Sequence, residues 1–197
     1  MSLKLKIARA QLGTALDLFI RNKDPLSVHA LACGGTEVME GVAEQASSPT
    51  LSTHILETFP GMDVAKIKRL RNQYWNAIKH FYNRDNKTAR DDEALMAEFS
   101  DIANDVVLFM GWLDYMRHVE KLPVEVQVFQ VWWFATNEDK LNPNADLEPH
   151  RCIFPSVAND DRSEQKRRLR RAVEKYKKDP TILADAKTER GSLMEKA

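Results

Sequence analysis

Apolar residues recur every three or four positions along most of this chain, the spacing that lines up one face of an α-helix. From Leu3 to Ile20 the stripe is Leu5, Ala8, Leu12, Ala15, Leu16 and Phe19, which predicts a first helix. Asp24 and Pro25 then suit an N-cap and a first helical position, so a second helix runs from there to about Glu44. Gly34 and Gly35 lie inside it, at a cost of about 1 kcal/mol each against alanine, which predicts close approach of a neighbouring helix. A short helix is expected over Leu51 to Phe59, stopped by Pro60 and Gly61.

The widest stripe, Ile67, Leu70, Tyr74, Ala77, Ile78 and Phe81, predicts a helix from Asp63 to about Asn83. Asp91 to Phe99 adds a short helix. Ser100 and Asp101 open another through Val106, Val107, Phe109, Met110, Leu113 and Met116, apolar on several sides and therefore central. Val124, Val128, Val131, Trp132 and Ala135 give the next, ending near Asn137. Leu141 to Val157 reads as an irregular surface excursion, and Thr188 to Ala197 as a fraying end. The expected fold is all-α, a single bundle of about five to seven helices over residues 1–158, with a basic C-terminal helix and tail over 159–197.

Composition narrows the partners. Of 197 residues, 29 are basic and 29 acidic, so no global charge draws the chain to nucleic acid or to an anionic membrane. The charge is local instead. Between Lys166 and Lys178 eight residues are basic and only Glu174 is acidic, with Leu169, Val173 and Tyr176 as a narrow apolar seam. Arg167, Arg168, Arg170, Arg171 and Lys175 are the candidate nucleic-acid-binding residues, suited to RNA, DNA or an acidic partner. Two cysteines are too few for a disulfide framework, and the first ten residues, with Lys4, Lys6 and Arg9, read as neither signal peptide nor spanning segment. A cytoplasmic location and no membrane contact are expected.

Candidate chemistry gathers on the helix after Asp63. Asn72, Asn76, Lys79, His80 and Asn83 fall on one helical face opposite the apolar stripe, a polar ridge in which His80 is the group able to move protons near neutrality. On the second helix His29, Cys33 and Glu37 follow at four-residue steps with Glu40 nearby, but no second pair has zinc-site spacing, so no metal and no cofactor are expected. No glycine-rich phosphate loop, serine-hydrolase elbow or paired CxxC motif is present.

Three segments, Asp24-Pro25-Leu26-Ser27-Val28-His29-Ala30-Leu31-Ala32, Asn76-Ala77-Ile78-Lys79-His80-Phe81 and Ala103-Asn104-Asp105-Val106-Val107-Leu108-Phe109, resemble a group of bacterial helical proteins related to the HEPN superfamily, including its abortive-infection V-like members. The resemblance implies a helical bundle, a homodimer, and a regulatory or stress-defence module that works through a protein partner without catalysis. Its ribonuclease branch implies a metal-independent nuclease in which Arg71, Asn72 and His80 are catalytic, with His80 about one helical turn farther from Arg71 than in that pattern. The tryptophans and methionines spread over the helices point to the same dimer, since they look more numerous than one small core hides.

Overall fold

The computed structural model describes residues 2–50, 64–85, 87–142 and 144–194, and only the backbone of 64–67, 70 and 71. Among the described residues the chain is an all-α bundle without strands. The helices are α1 (Leu3–Ile20), α2 (Pro25–Gln45), α3 (Val64–Lys79), α4 (Glu93–Ala97), α5 (Ala103–Val119), α6 (Val124–Thr136), α7 (Glu148–Ile153), α8 (Arg162–Tyr176) and α9 (Pro180–Ala184). The helix expected over Leu51 to Phe59 and the capping role of Asp63 lie outside the described residues. Among the described residues, no helix is long and apolar enough to cross a membrane.

Local chemistry sets several helix ends, at Asp24 and Pro25 as expected. Ser2 caps α1 by accepting from the Leu5 amide, and the Asp24 carboxylate accepts from the Leu26 and Ser27 amides ahead of Pro25. Asp161 and Asp179 do the same for α8 and α9. The Asp179-Pro180 pair therefore ends α8 and also starts a further short helix.

The paired glycine and its neighbours explain how the first helices meet. A Cβ on Gly35 would lie 2.7 Å from Leu12 Cγ and 3.2 Å from the Ala8 carbonyl oxygen, so α1 and α2 touch backbone to side chain there. Gly111 of α5 is pressed as tightly, 2.5 Å from Thr36 Oγ1 and 2.6 Å from Leu12 Cδ2 for the same imagined atom. Leu12 thus sits where three helices converge. The Thr36 hydroxyl donates to the Ala32 carbonyl and lies 3.3 Å from that of Val107, which keeps its polar oxygen satisfied inside the packing.

The core is aromatic. Phe19, Phe129 and Trp132 pack with centroids 5.7–5.8 Å apart, and Trp112 meets Tyr115 at 5.3 Å, all five buried. Trp112 and Trp132 have no exposed surface, and Trp75 and Trp133 are half-buried. The aromatic excess that suggested a dimer is used largely inside one protomer. Helix α8 lies on α6 and α1 and contributes Leu169 and Val173 to this interior.

Two stretches differ from the sequence reading. Helix α3 stops at Lys79, so Phe81 is not on its buried stripe but 72% exposed, edge-on to Tyr82 in a short turn closed by a Tyr82–Ala89 bridge. The Asp85 carboxylate accepts from the Lys87 and Thr88 amides and holds that turn, which competes with continued helix. The second stretch is 185–194, which docks as a strap instead of fraying. The Leu122 amide donates to the Lys187 carbonyl and the Glu189 amide to the Leu122 carbonyl, while Leu193 is buried. The excursion from Leu141 to Val157 is partly ordered into α7 and a 3-10 turn at Val157–Asn159, with Phe154 buried.

Candidate functional site

The polar ridge of α3 faces α2. Trp75 Nε1 donates to Glu37 Oε2 at 3.2 Å, and Lys79 Nζ lies 3.7 Å from the same carboxylate and 5.3 Å from the Trp75 ring centre. Lys79 is therefore engaged with Glu37. Asn72 is half-buried, Asn76 exposed, and the Arg71 side chain lies outside the described residues. His80 sits exposed just past the end of the helix, and among the described residues its ring has no hydrogen-bonding or charged partner. Among the described residues no neighbour positions that ring as an acid or base.

The histidine on α2 is the one the fold uses. His29 is buried, its Nδ1 2.9 Å from Asn104 Oδ1, with the rings of Tyr74 and Phe99 edge-on at 6.0 and 5.4 Å. The Asn104 amide donates to the Pro25 carbonyl and to Asp101, so its oxygen is the acceptor and His29 carries its proton on Nδ1. Burial pulls the His29 pKa below 6.5, against the opposing hydrogen bond to Asn104, and favours the neutral ring. Cys33 is buried and Glu37 turns outward to Trp75, and among the described residues no three His, Cys, Asp or Glu gather as a metal would need.

The basic helix α8 divides into two faces with different work. On the inner face Arg162 binds Asp105 through two hydrogen bonds of 3.0 and 2.5 Å and Asp101 at 2.8 Å, with its guanidinium over Phe19 and Trp132. Lys166, almost fully buried, reaches Asp101 at 2.6 Å with its ammonium 4.2 Å from the Phe19 ring centre. Two carboxylates and two cations form a neutral cluster that clamps α8 to the start of α5. Burial pushes the Asp105 carboxyl up to about 6 even with Arg162 beside it. For Asp101 burial acts upward too, but Lys166 and Arg162 outweigh it and hold its carboxyl below 3.8. The sequence carried the signal in the four-residue steps Asp101 to Asp105 and Arg162 to Lys166, complementary charges on one face of each helix.

The outer face carries the remaining candidates. Arg167 pairs with Glu164 and Arg168 with Asp160 and the Pro155 carbonyl. Arg170 and Arg171 are exposed and, among the described residues, have no ion-pair partner, and the Lys175 ammonium lies 5.0 Å from the Tyr176 ring centre. Lys177 binds the buried Glu125 carboxylate at 2.6 Å. Beside this face a cleft of about 660 Å³ opens between the end of α1, the start of α6, α8 and the strap.

A second unforeseen charge pair holds the strap. The Arg9 guanidinium, fully buried on α1, donates to both Glu189 and the carbonyls of Leu193 and Ser192 and lies 5.2 Å from the Trp112 ring centre. The Tyr115 hydroxyl donates to the other Glu189 oxygen. Read alone, Arg9 belongs to a solvated face; only its partner 180 residues away explains its burial.

Compared with family models, with curated proteins and with solved structures, the chain matches none of them.

Proposed function

We propose that this chain is a non-catalytic interaction module that holds the phosphate backbone of RNA along the outer face of α8. One observation carries the reading. Arg162 and Lys166 are consumed in clamping the helix to the bundle, so the exposed outer-face cations, Arg167 beside Glu164 and Arg170, Arg171 and Lys175 without an ion-pair partner among the described residues, are held on a rigid element and not on a loose tail. Arg167, Arg171 and Lys175 follow at four-residue steps on α8, about 6 Å apart along its axis, a row of cations at regular spacing. A kinship with HEPN-like regulatory and stress-defence proteins belongs to the same proposal, and an all-α bundle is the fold it calls for.

Catalysis is not part of this reading, because His80 projects from an element that packs on α2 whereas α8 packs on α6 and α1. Titrating a fluorescently labelled single-stranded RNA and following anisotropy tests the binding. A row of three or four cations predicts that log affinity falls against log salt with a slope of about −2 to −3. The triple variant Arg167→Ala/Arg171→Ala/Lys175→Ala weakens binding at least about tenfold. Failure of the wild type to bind at low salt, or equal binding by the variant, overturns the proposal.

A further inference from the structure

The cleft beside α8 carries charge that the protein does not neutralise. Arg21 is paired with Asp17 at 3.0 Å and Lys177 with Glu125 at 2.6 Å, so four of its charged lining residues cancel. What is left is Lys23 from the end of α1, Arg170 and Arg171 from α8, and one carboxylate, Glu174. Among the described residues Lys23, Arg170 and Arg171 have no ion-pair partner, so the cleft holds two positive charges in excess. Its floor is apolar, built by Ile20, Val173 and Leu193, each nearly buried. Cations reach it from α8 and from the turn that follows α1, so an anion seated between them would be gripped from both sides.

An excess of two positive charges in one cleft matches a dianion. Each phosphodiester inside a nucleic-acid strand carries a single negative charge, whereas a terminal phosphomonoester approaches two near neutral pH. The outer row of α8 can follow a strand and still leave the cleft to its end, since of that row only Arg171 lines the cleft, beside Arg170, while Arg167 and Lys175 do not. An apolar floor beside the cations suits the base and sugar of the terminal nucleotide, with Glu174 placed to accept from a hydroxyl or amino group.

We propose that the cleft between α1 and α8 binds the terminal phosphomonoester of an RNA strand, a preference that rests on the RNA-binding reading above and specifies which part of the strand is recognised. The experiment compares one RNA sequence in three forms, 5′-phosphorylated, 3′-phosphorylated and unphosphorylated, by anisotropy with the full chain. A phosphorylated end raises affinity about tenfold over the unphosphorylated strand. Lys23→Ala, which alters an exposed side chain in the cleft but not on the outer row of α8, abolishes that preference while leaving the affinity for unphosphorylated RNA within about twofold. The outer-row variant Arg167→Ala/Lys175→Ala does the reverse, weakening all three strands and retaining the preference. Equal binding of all three strands by the wild type overturns the end-recognition inference and leaves the RNA-binding reading intact. If no strand binds, the RNA-binding reading fails, and calorimetric titration with adenosine monophosphate against adenosine decides the cleft separately. Binding of the monophosphate alone, lost in Lys23→Ala, upholds phosphomonoester recognition from a free nucleotide, and equal or absent binding of the two overturns it.

Discussion

Replacing Arg162 by alanine is the sharpest test of how α8 is held. The substitution removes two hydrogen bonds to Asp105 and one to Asp101, and leaves Asp105 buried while the nearest other cation, Lys166, is bonded to Asp101. Breaking a buried pair from one side costs about 3–5 kcal/mol, and the lower figure applies because the Arg162 side chain is 25% exposed. In a chain of 197 residues a loss of about 3 kcal/mol lowers the melting temperature by about 6–12 °C. The loss depends on pH with a definite sign. In the wild type Asp105 titrates at about 6, above its ordinary 3.8, so the folded state holds that proton more tightly than the unfolded chain does. Its contribution is largest below pH 3.8 and is lost as the pH rises through about 6. Without the guanidinium the carboxyl rises further, so it is protonated at about pH 5 and ionised without its partner at higher pH. Urea denaturation followed by far-ultraviolet circular dichroism at pH 5 and pH 7.5 measures both deficits. A deficit under about 1 kcal/mol at the higher pH, or one equally large at both, would refute the reasoning.

Gly111→Ala gains about 1 kcal/mol of helix propensity but drives a methyl against Thr36 and Leu12, at a cost of about 1–3 kcal/mol, so a net loss is expected in chemical denaturation. Undiminished stability would show that α1, α2 and α5 can separate there. Glu189→Gln strips the charge from the acceptor of the buried Arg9 and should cost about 2 kcal/mol, with faster tryptic cleavage at Lys187 and Arg190 as the strap loosens. An unchanged cleavage rate would show that Glu189 is not what holds it. His29 has its pKa depressed, so the stability it carries is present above 6.5 and lost as pH falls below that value; His29→Gln should flatten the acid side of the stability profile. A profile that keeps its slope would assign that acid sensitivity elsewhere. His80→Ala should leave both RNA affinity and RNA integrity unchanged in a gel assay, and cleavage by the wild type that the variant lacks would reinstate a nuclease.

Helices α1, α2, α5 and α6 were legible because their stripes are long, and α2 also because Asp24 and Pro25 mark its start within a few residues. Gly34-Gly35 pointed correctly to a close helix crossing, although Gly35 rather than Gly34 makes the tightest contact. Phe81 misled because periodicity continues past Lys79 while the turn around Asp85, a local hydrogen-bonding effect, ends the helix first. The basic run was legible as a run but not as two faces: Lys166 is charged like its neighbours, and only the placement of Asp101 and Asp105 on a distant helix distinguishes it. Arg9 and Glu189 escaped for the same reason in a stronger form, since long-range charge pairing leaves no periodic trace. The cleft at Lys23 needs three helices and the strap to exist at all.

The bond between Arg9 and Glu189 also sets a schedule for the nascent chain. At about 5–20 residues per second, the ribosome needs about 10–40 s to travel the 180 positions between them. Through that interval the opening helical hairpin owns a cation with no counterpart yet translated. It must stay hydrated, or shielded by a chaperone, until the late segment arrives to close over it.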